Sequence, residues 1–159
     1  MGNALLELMK SRPVTNRLMA SSAPVGVMPN FSKLERPLYD SENAYFKSNP
    51  HVGGMATDDN RIVINPYSNL NDKEKDYVRL NEASRIFLRT AGVPKFKLGA
   101  DQEKFLNGNE YANASDDDRR ATILSRHLTG DPSAGAMTPE QQMHVDWLRN
   151  GINAWLGEK

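Results

Sequence analysis

Apolar residues recur with a helical period in three long stretches of this chain and with no period at all in another. The clearest case is 71–91, where Tyr77, Leu80, Ala83 (with Ser84) and Phe87 fall three or four apart. Val78, Ile86 and Leu88 widen that stripe, as in an amphipathic helix packed on a core. Asn71 followed by Glu74 makes a capping-box start, and Ala91-Gly92 before Pro94 makes a stop. The pattern predicts a helix over 72–90, roughly 28 Å long at 1.5 Å per residue. A second helix is predicted over 116–129. Ser115 caps it, Asp116-Asp117-Asp118 oppose the positive end of its dipole, and Ala121, Ile123, Leu124 and Leu128 give it an apolar face before Gly130. A third spans 139–156, opened by Thr138-Pro139-Glu140-Gln141. Met143, Trp147, Leu148, Ile152 and Trp155 are expected on its inner side, with Leu156 beside them.

Shorter elements are weaker. Residues 2–10 and 41–48 suggest short helices, the latter with Ser41 as N-cap and Tyr45 and Phe46 inward, and a single helical turn is expected over 101–106. Arg61 to Asn65 is the one good strand, with three β-branched residues in a row, Ile62, Val63 and Ile64. The preceding H-V-G-G-M-A-T-D-D-N (51–60) has glycines and turn residues, is expected to be a loop, and leaves the strand with little or nothing to pair with.

Residues 11–37 have no period. Pro13, Pro24, Pro29 and Pro37 interrupt them, yet Val14, Leu18, Met19, Val25, Val27, Met28, Phe31 and Leu34 are apolar. Between positions 10 and 36, Lys10, Arg12, Arg17, Lys33 and Arg36 face a single acid, Glu35. A solvated tail and an arm laid along another molecule are both open; so many apolar positions favour the arm, with those eight residues as its contacts. The fold expected is mainly α: a small helical bundle with one short strand over 41–159, and a long extended Pro-rich arm over 1–40.

Composition sharpens this picture. The 159 residues suit one domain, but 38% hydrophobic and 8% aromatic content, with a mean hydropathy of −0.64, is thin for a self-sufficient core. Lys+Arg and Asp+Glu both number 20, so no global basic field attracts nucleic acid. Arg119-Arg120 and Arg126-His127 are expected on an exposed helix face, where nucleic-acid contact is possible but opposed by the three aspartates before them. With no cysteine there is no disulfide framework, thiolate metal site or cysteine nucleophile. No stretch is long and apolar enough to span a membrane, and the first residues resemble neither a signal peptide nor a myristoylation site.

The strand-then-helix order around L-N-E-A-S-R (80–85) is the setting in which zinc hydrolases place H-E-x-x-H. Here Asn81 and Arg85 stand where the ligand histidines would be, and only Glu82 remains. Asn is a poor zinc ligand and Arg repels the ion. The plain expectation is an ion pair between Glu82 and Arg85 on the helix surface, or a subunit contact. A zincin-like, inactive hydrolase relative is the alternative. His51, His127 and His144 are scattered, the aspartate runs lack calcium-loop spacing, and there is no phosphate-cradling glycine motif or nucleophile elbow. No catalytic residue, metal, cofactor or small-molecule substrate is therefore assigned. Trp147 and Trp155 lie eight apart and share a helix side, as core residues or as anchors of a protein–protein interface.

The runs N-P-H-V-G-G-M-A-T-D-D-N-R-I-V-I-N-P-Y-S-N-L (49–70), N-E-A-S-R (81–85) and A-T-I-L-S-R-H-L-T-G-D-P-S-A-G-A-M-T-P-E-Q (121–141) resemble small proteins of tailed, especially short-tailed (podovirus-type), bacteriophages. The resemblance covers about residues 40–145 and brings no catalytic motif. It implies a non-enzymatic virion component at the head–tail junction, in the tail or among internal ejected proteins. Its partners would be other virion proteins, and its location the virion, with the host cytoplasm before assembly. A phage-encoded regulator that binds a host protein through Trp147 and Trp155 is the other alternative.

Overall fold

The computed structural model describes residues 28–131 and 134–157. The predicted helix over 2–10 and the arm positions Val14, Leu18, Met19, Val25 and Val27 lie outside them. The described chain is mainly helical, with five α-helices and one two-stranded antiparallel sheet. A 3-10 turn (Phe31–Lys33) is followed by α1 (Asp40–Ser48), β1 (Gly54–Ala56), β2 (Ile62–Ile64), α2 (Asp72–Ala91), α3 (Ala100–Asn107), α4 (Asp116–Thr129) and α5 (Pro139–Leu156).

Local chemistry sets the ends of the long helices. Asn71 Oδ1 accepts the Glu74 N–H at 2.8 Å, while Glu74 Oε1 accepts the Asn71 N–H at 2.7 Å. Thr138 and Gln141 repeat this reciprocal pair at the start of α5, and Ser115 Oγ caps α4 through the Asp118 N–H. Each cap satisfies backbone donors that the first helical turn leaves without partners. Gly92 (φ 96°) and Gly130 (φ 80°) end α2 and α4 in conformations that suit glycine. At α1 the expected N-cap Ser41 is displaced: the helix starts at Asp40, because Glu42 Oε1 takes the Tyr39 N–H at 2.9 Å.

The predicted strand does have a partner. Gly54–Ala56, expected to be loop, pairs antiparallel with Ile62–Ile64, with Met55 opposite Val63. The chain reverses through Asn60, at φ 61°, and the Thr57 N–H bonds Arg61 O at 2.8 Å. A Cβ on Gly54 would stand 2.8 Å from Val63 O and 3.0 Å from Val78 Cγ1, so the hairpin packs on α2 closely enough to need glycine there.

Residues 31–36 also depart from expectation. The lack of any period places them in the arm, yet Phe31 and Leu34 are buried in the chain's own core and Met28 packs against it. Leu34 O accepts the Ile62 N–H and Arg36 N–H bonds Ile62 O, so this segment runs beside β2 through a parallel bridge at Glu35. Arg61 binds Leu34 O and Glu35 O at 2.9 Å each, and Arg36 forms a two-bonded pair with Glu42 at 2.8 Å. α2 lies at the centre and touches α4, α5, both strands and the 3-10 turn.

Candidate functional site

Two constellations stand out, one buried and polar, the other half-exposed and aromatic. The buried one lies where α2 faces α4. Glu82 and Arg85, expected on the surface, are 1% and 5% exposed. Arg85 Nη2 donates to Thr122 Oγ1 at 2.7 Å and to Tyr111 Oη at 3.2 Å, with the guanidinium 5.4 Å from the Tyr111 ring centroid. The Ser84 and Ser125 hydroxyls meet at 2.7 Å across the two helices. Arg126, expected on an exposed face of α4, is buried and pairs with the fully buried Asp131 carboxylate at 2.6 Å. At the α2–α4 contact the small Ser84 and Ser125 side chains let the helices approach, and Arg85 then finds Thr122 and Tyr111 as partners.

This arrangement dissolves the expected basic patch. Arg119 is buried among Tyr111 O, Ala112 O, Glu103 and Asn107, and Arg120 donates to Phe96 O. His127 is buried with its Nε2 3.2 Å from Gln102 Nε2. Gln102 and Gln141 exchange reciprocal amide bonds of 2.6 and 2.9 Å. Burial holds the His127 pKa below its ordinary value, against the opposing pull of the Asp131 charge. Burial thus favours the neutral form of His127. Among the described residues no group of three or more His, Asp or Glu is placed to hold a metal ion, and no helix is long and apolar enough to cross a membrane. A recess of about 190 Å³ beside Arg85 is lined by Arg89, Val93, Asp117 and Asp118, with no hydroxyl, thiol or amine side chain among its lining residues.

The aromatic constellation is built from α2 and α5. Gly151 sits under the Phe87 ring so closely that a Cβ there would stand 2.3 Å from Phe87 Cζ. Trp147 and Trp155, one turn before and after Gly151, flank that ring. Trp147 meets Phe87 edge-on at 5.4 Å between centroids, and Trp155 meets it tilted at 6.1 Å. Both tryptophans remain well exposed, 40% and 37%. Beside Trp155 opens a groove of about 470 Å³, lined by Leu34, Ile86, Phe87, Thr90, Ala91 and Asn60. Met143, expected inside, is 67% exposed, because the buried stripe of α5 is Gln141, Val145, Leu148, Ile152 and Leu156.

The tryptophans therefore stay together but form neither plain core nor isolated surface residues. Phe87 and Leu34 were not foreseen as their companions. One sequence signal was available: W-x-x-x-G-x-x-x-W (147–155) puts a glycine between two aromatics on one helix face, which leaves room for a third ring from a neighbouring element. Comparison with protein-family models, with curated proteins and with solved structures finds no match for this chain.

Proposed function

We propose that this chain is a non-enzymatic component of a tailed-bacteriophage particle, at the head–tail junction, in the tail or among the internal ejected proteins. It assembles through apolar contacts with other virion proteins, using its N-terminal segment and the Phe87–Trp147–Trp155 face. The observation that carries the assembly role is the half-exposed aromatic face continuing into an apolar groove. Trp and Phe contribute more to interfaces per residue than most side chains, and solvent contact by two neighbouring tryptophans is costly unless a partner covers them. The particle context comes from the resemblance over residues 49–70, 81–85 and 121–141. Glu82 and Arg85, which stand in the zincin-like pattern, are buried.

The test is incorporation. A phage carrying Trp147→Ser and Trp155→Ser in this chain should yield a protein of unchanged helical content that no longer enters particles. Incorporation at the normal copy number would sink the assembly role of this face.

A further inference from the structure

We propose that Gln102, His127 and Gln141 form a proton-sensitive clasp: protonation of His127 at Nε2 releases α3 and the 134–138 turn, while α2 and α4 stay packed.

The clasp begins as helix capping. Gln102 and Gln141 stand at the third position of α3 and α5, and each reaches back to the residue before its own helix. Gln102 Oε1 accepts the Gly99 N–H at 2.8 Å, and Gln141 Oε1 accepts the Thr138 N–H at 3.3 Å. The two amides then bind each other, at 2.6 and 2.9 Å. Each amide nitrogen also donates to backbone, Gln102 Nε2 to Ala136 O at 3.2 Å and Gln141 Nε2 to Lys97 O at 3.1 Å. These backbone partners fix which end of each amide is oxygen and which is nitrogen. The group facing His127 Nε2 at 3.2 Å is therefore a donor, and the ring is held there as an acceptor. A proton on Nε2 would set N–H against N–H. Gln102 can relieve that only by turning its amide away, which gives up its bonds to Gly99, Gln141 and Ala136 together.

α3 is otherwise lightly held. Of its eight residues Gln102 and Leu106 are buried, and its Glu103–Arg119 pair has a half-exposed carboxylate. The turn rests on the same corner: a Cβ on Gly135 would stand 3.3 Å from Asp101 Cβ and 3.4 Å from Gln102 Cγ. The α2–α4 contact lies elsewhere. Thr122 and Ser125, which meet α2, are roughly 140–160° around α4 from His127.

The charges around the ring do not offset the lost acceptor. Asp131 favours protonation, but its carboxylate is bound to Arg126 at 2.6 Å. Lys97, Asp101 and Glu103 beside Gln102 are exposed, and so is Glu140 beside Gln141, which lies 4.0 Å from His144. Once the clasp opens, water reaches the imidazole and it titrates near its ordinary value, about 6.5. Opening is then favoured as pH falls below that value. At pH 5 the gain is at most about thirty-fold, the ratio of protonated to neutral ring in the open form.

The test is amide hydrogen exchange followed by NMR in the full-length chain carrying His51→Gln and His144→Gln, which leaves His127 as its single histidine. Rates are corrected for the intrinsic pH dependence of exchange. Between pH 7 and 5, amides of 100–107 and 134–141 should lose protection by about ten- to thirty-fold, while those of α2 and α4 keep theirs. The imidazole itself should titrate below about 6.5. Adding His127→Gln should abolish the pH response. Unchanged protection at 100–107 and 134–141, equal loss across all helices, or a response that survives His127→Gln would each overturn the clasp. Should the His127→Gln chain fail to fold, the exchange pattern of the single-histidine protein still decides.

Discussion

Gly151→Ala is the sharpest probe of the aromatic face. In an open helix interior, replacing Gly by Ala stabilises by about 0.8–1.0 kcal/mol, through propensity alone. Here the new Cβ would lie 2.3 Å from Phe87 Cζ, 2.9 Å from Cε1 and 3.0 Å from Cε2. The ring cannot turn aside freely, since Trp147 and Trp155 stand on either side of it. Forcing a methyl into such a contact costs roughly 1–3 kcal/mol. The net change should then run from about zero to 2 kcal/mol destabilising, opposite in sense to the propensity gain. In a Phe87→Ala background the obstacle is gone, and Gly151→Ala should stabilise by the full propensity amount, about 1 kcal/mol. The coupling between the two sites should therefore be about 1–3 kcal/mol, the size of the relieved contact. Urea unfolding followed by far-UV circular dichroism measures all four proteins, with a constant slope confirming comparable unfolded states. Stabilisation by Gly151→Ala in the parent chain, or an equal effect in both backgrounds, would refute the seating of Phe87 on Gly151.

Other predictions concern the buried polar groups. Asp131→Ala strands the Arg126 guanidinium in the interior and should cost about 3–5 kcal/mol in a denaturant titration; a change under 1 kcal/mol would mean that the pair is solvated. Because the folded-state pKa of His127 is depressed, the unfolded chain binds the extra proton more readily. Stability from this site is thus present above the ordinary histidine value, about 6.5, and is lost as pH falls below it. His127→Gln should remove this component from the stability–pH curve, and an unchanged slope between about pH 5 and 7 would contradict it. Glu42 acts in a lower window. Burial favours its neutral form, but the bond from Arg36, the Tyr39 N–H and the Arg36 charge together hold its pKa below the usual carboxylate value. Its contribution is present above about 4.3 and is lost as pH falls further, and Glu42→Gln should flatten that part of the curve.

The long helices were legible because their determinants are local. Asn71 with Glu74, and Thr138 with Gln141, form bonds within four residues, and no tertiary information is needed to place them. β1 was not legible: Gly54-Met55-Ala56 contains no β-branched residue, and its place comes from Val63 and Val78, neighbours only in the folded chain. The α2–α4 interface was misjudged for a related reason. A period counted in apolar residues treats Arg85 as solvent-facing, whereas a guanidinium is readily buried once its bonds are met. Phe31 and Leu34 looked like arm residues because irregular backbone carries no period even when it packs. For the aromatic face, the eight-residue spacing of Trp147 and Trp155 gave the shared side of the helix. It gave neither their half-exposure nor the groove, both of which depend on where α2 places Phe87 and where the chain brings Leu34.

The proposed role makes this chain a built-in part of a phage particle. Quantitative mass spectrometry of gradient-purified particles, from a host infected with a phage engineered to encode this chain, addresses it directly. A chain with that role should be found in the particles at a fixed ratio to the major capsid protein and should stay through high-salt washing, as apolar contacts would. Its absence from particles, while it is abundant in the infected-cell lysate, would rule that role out.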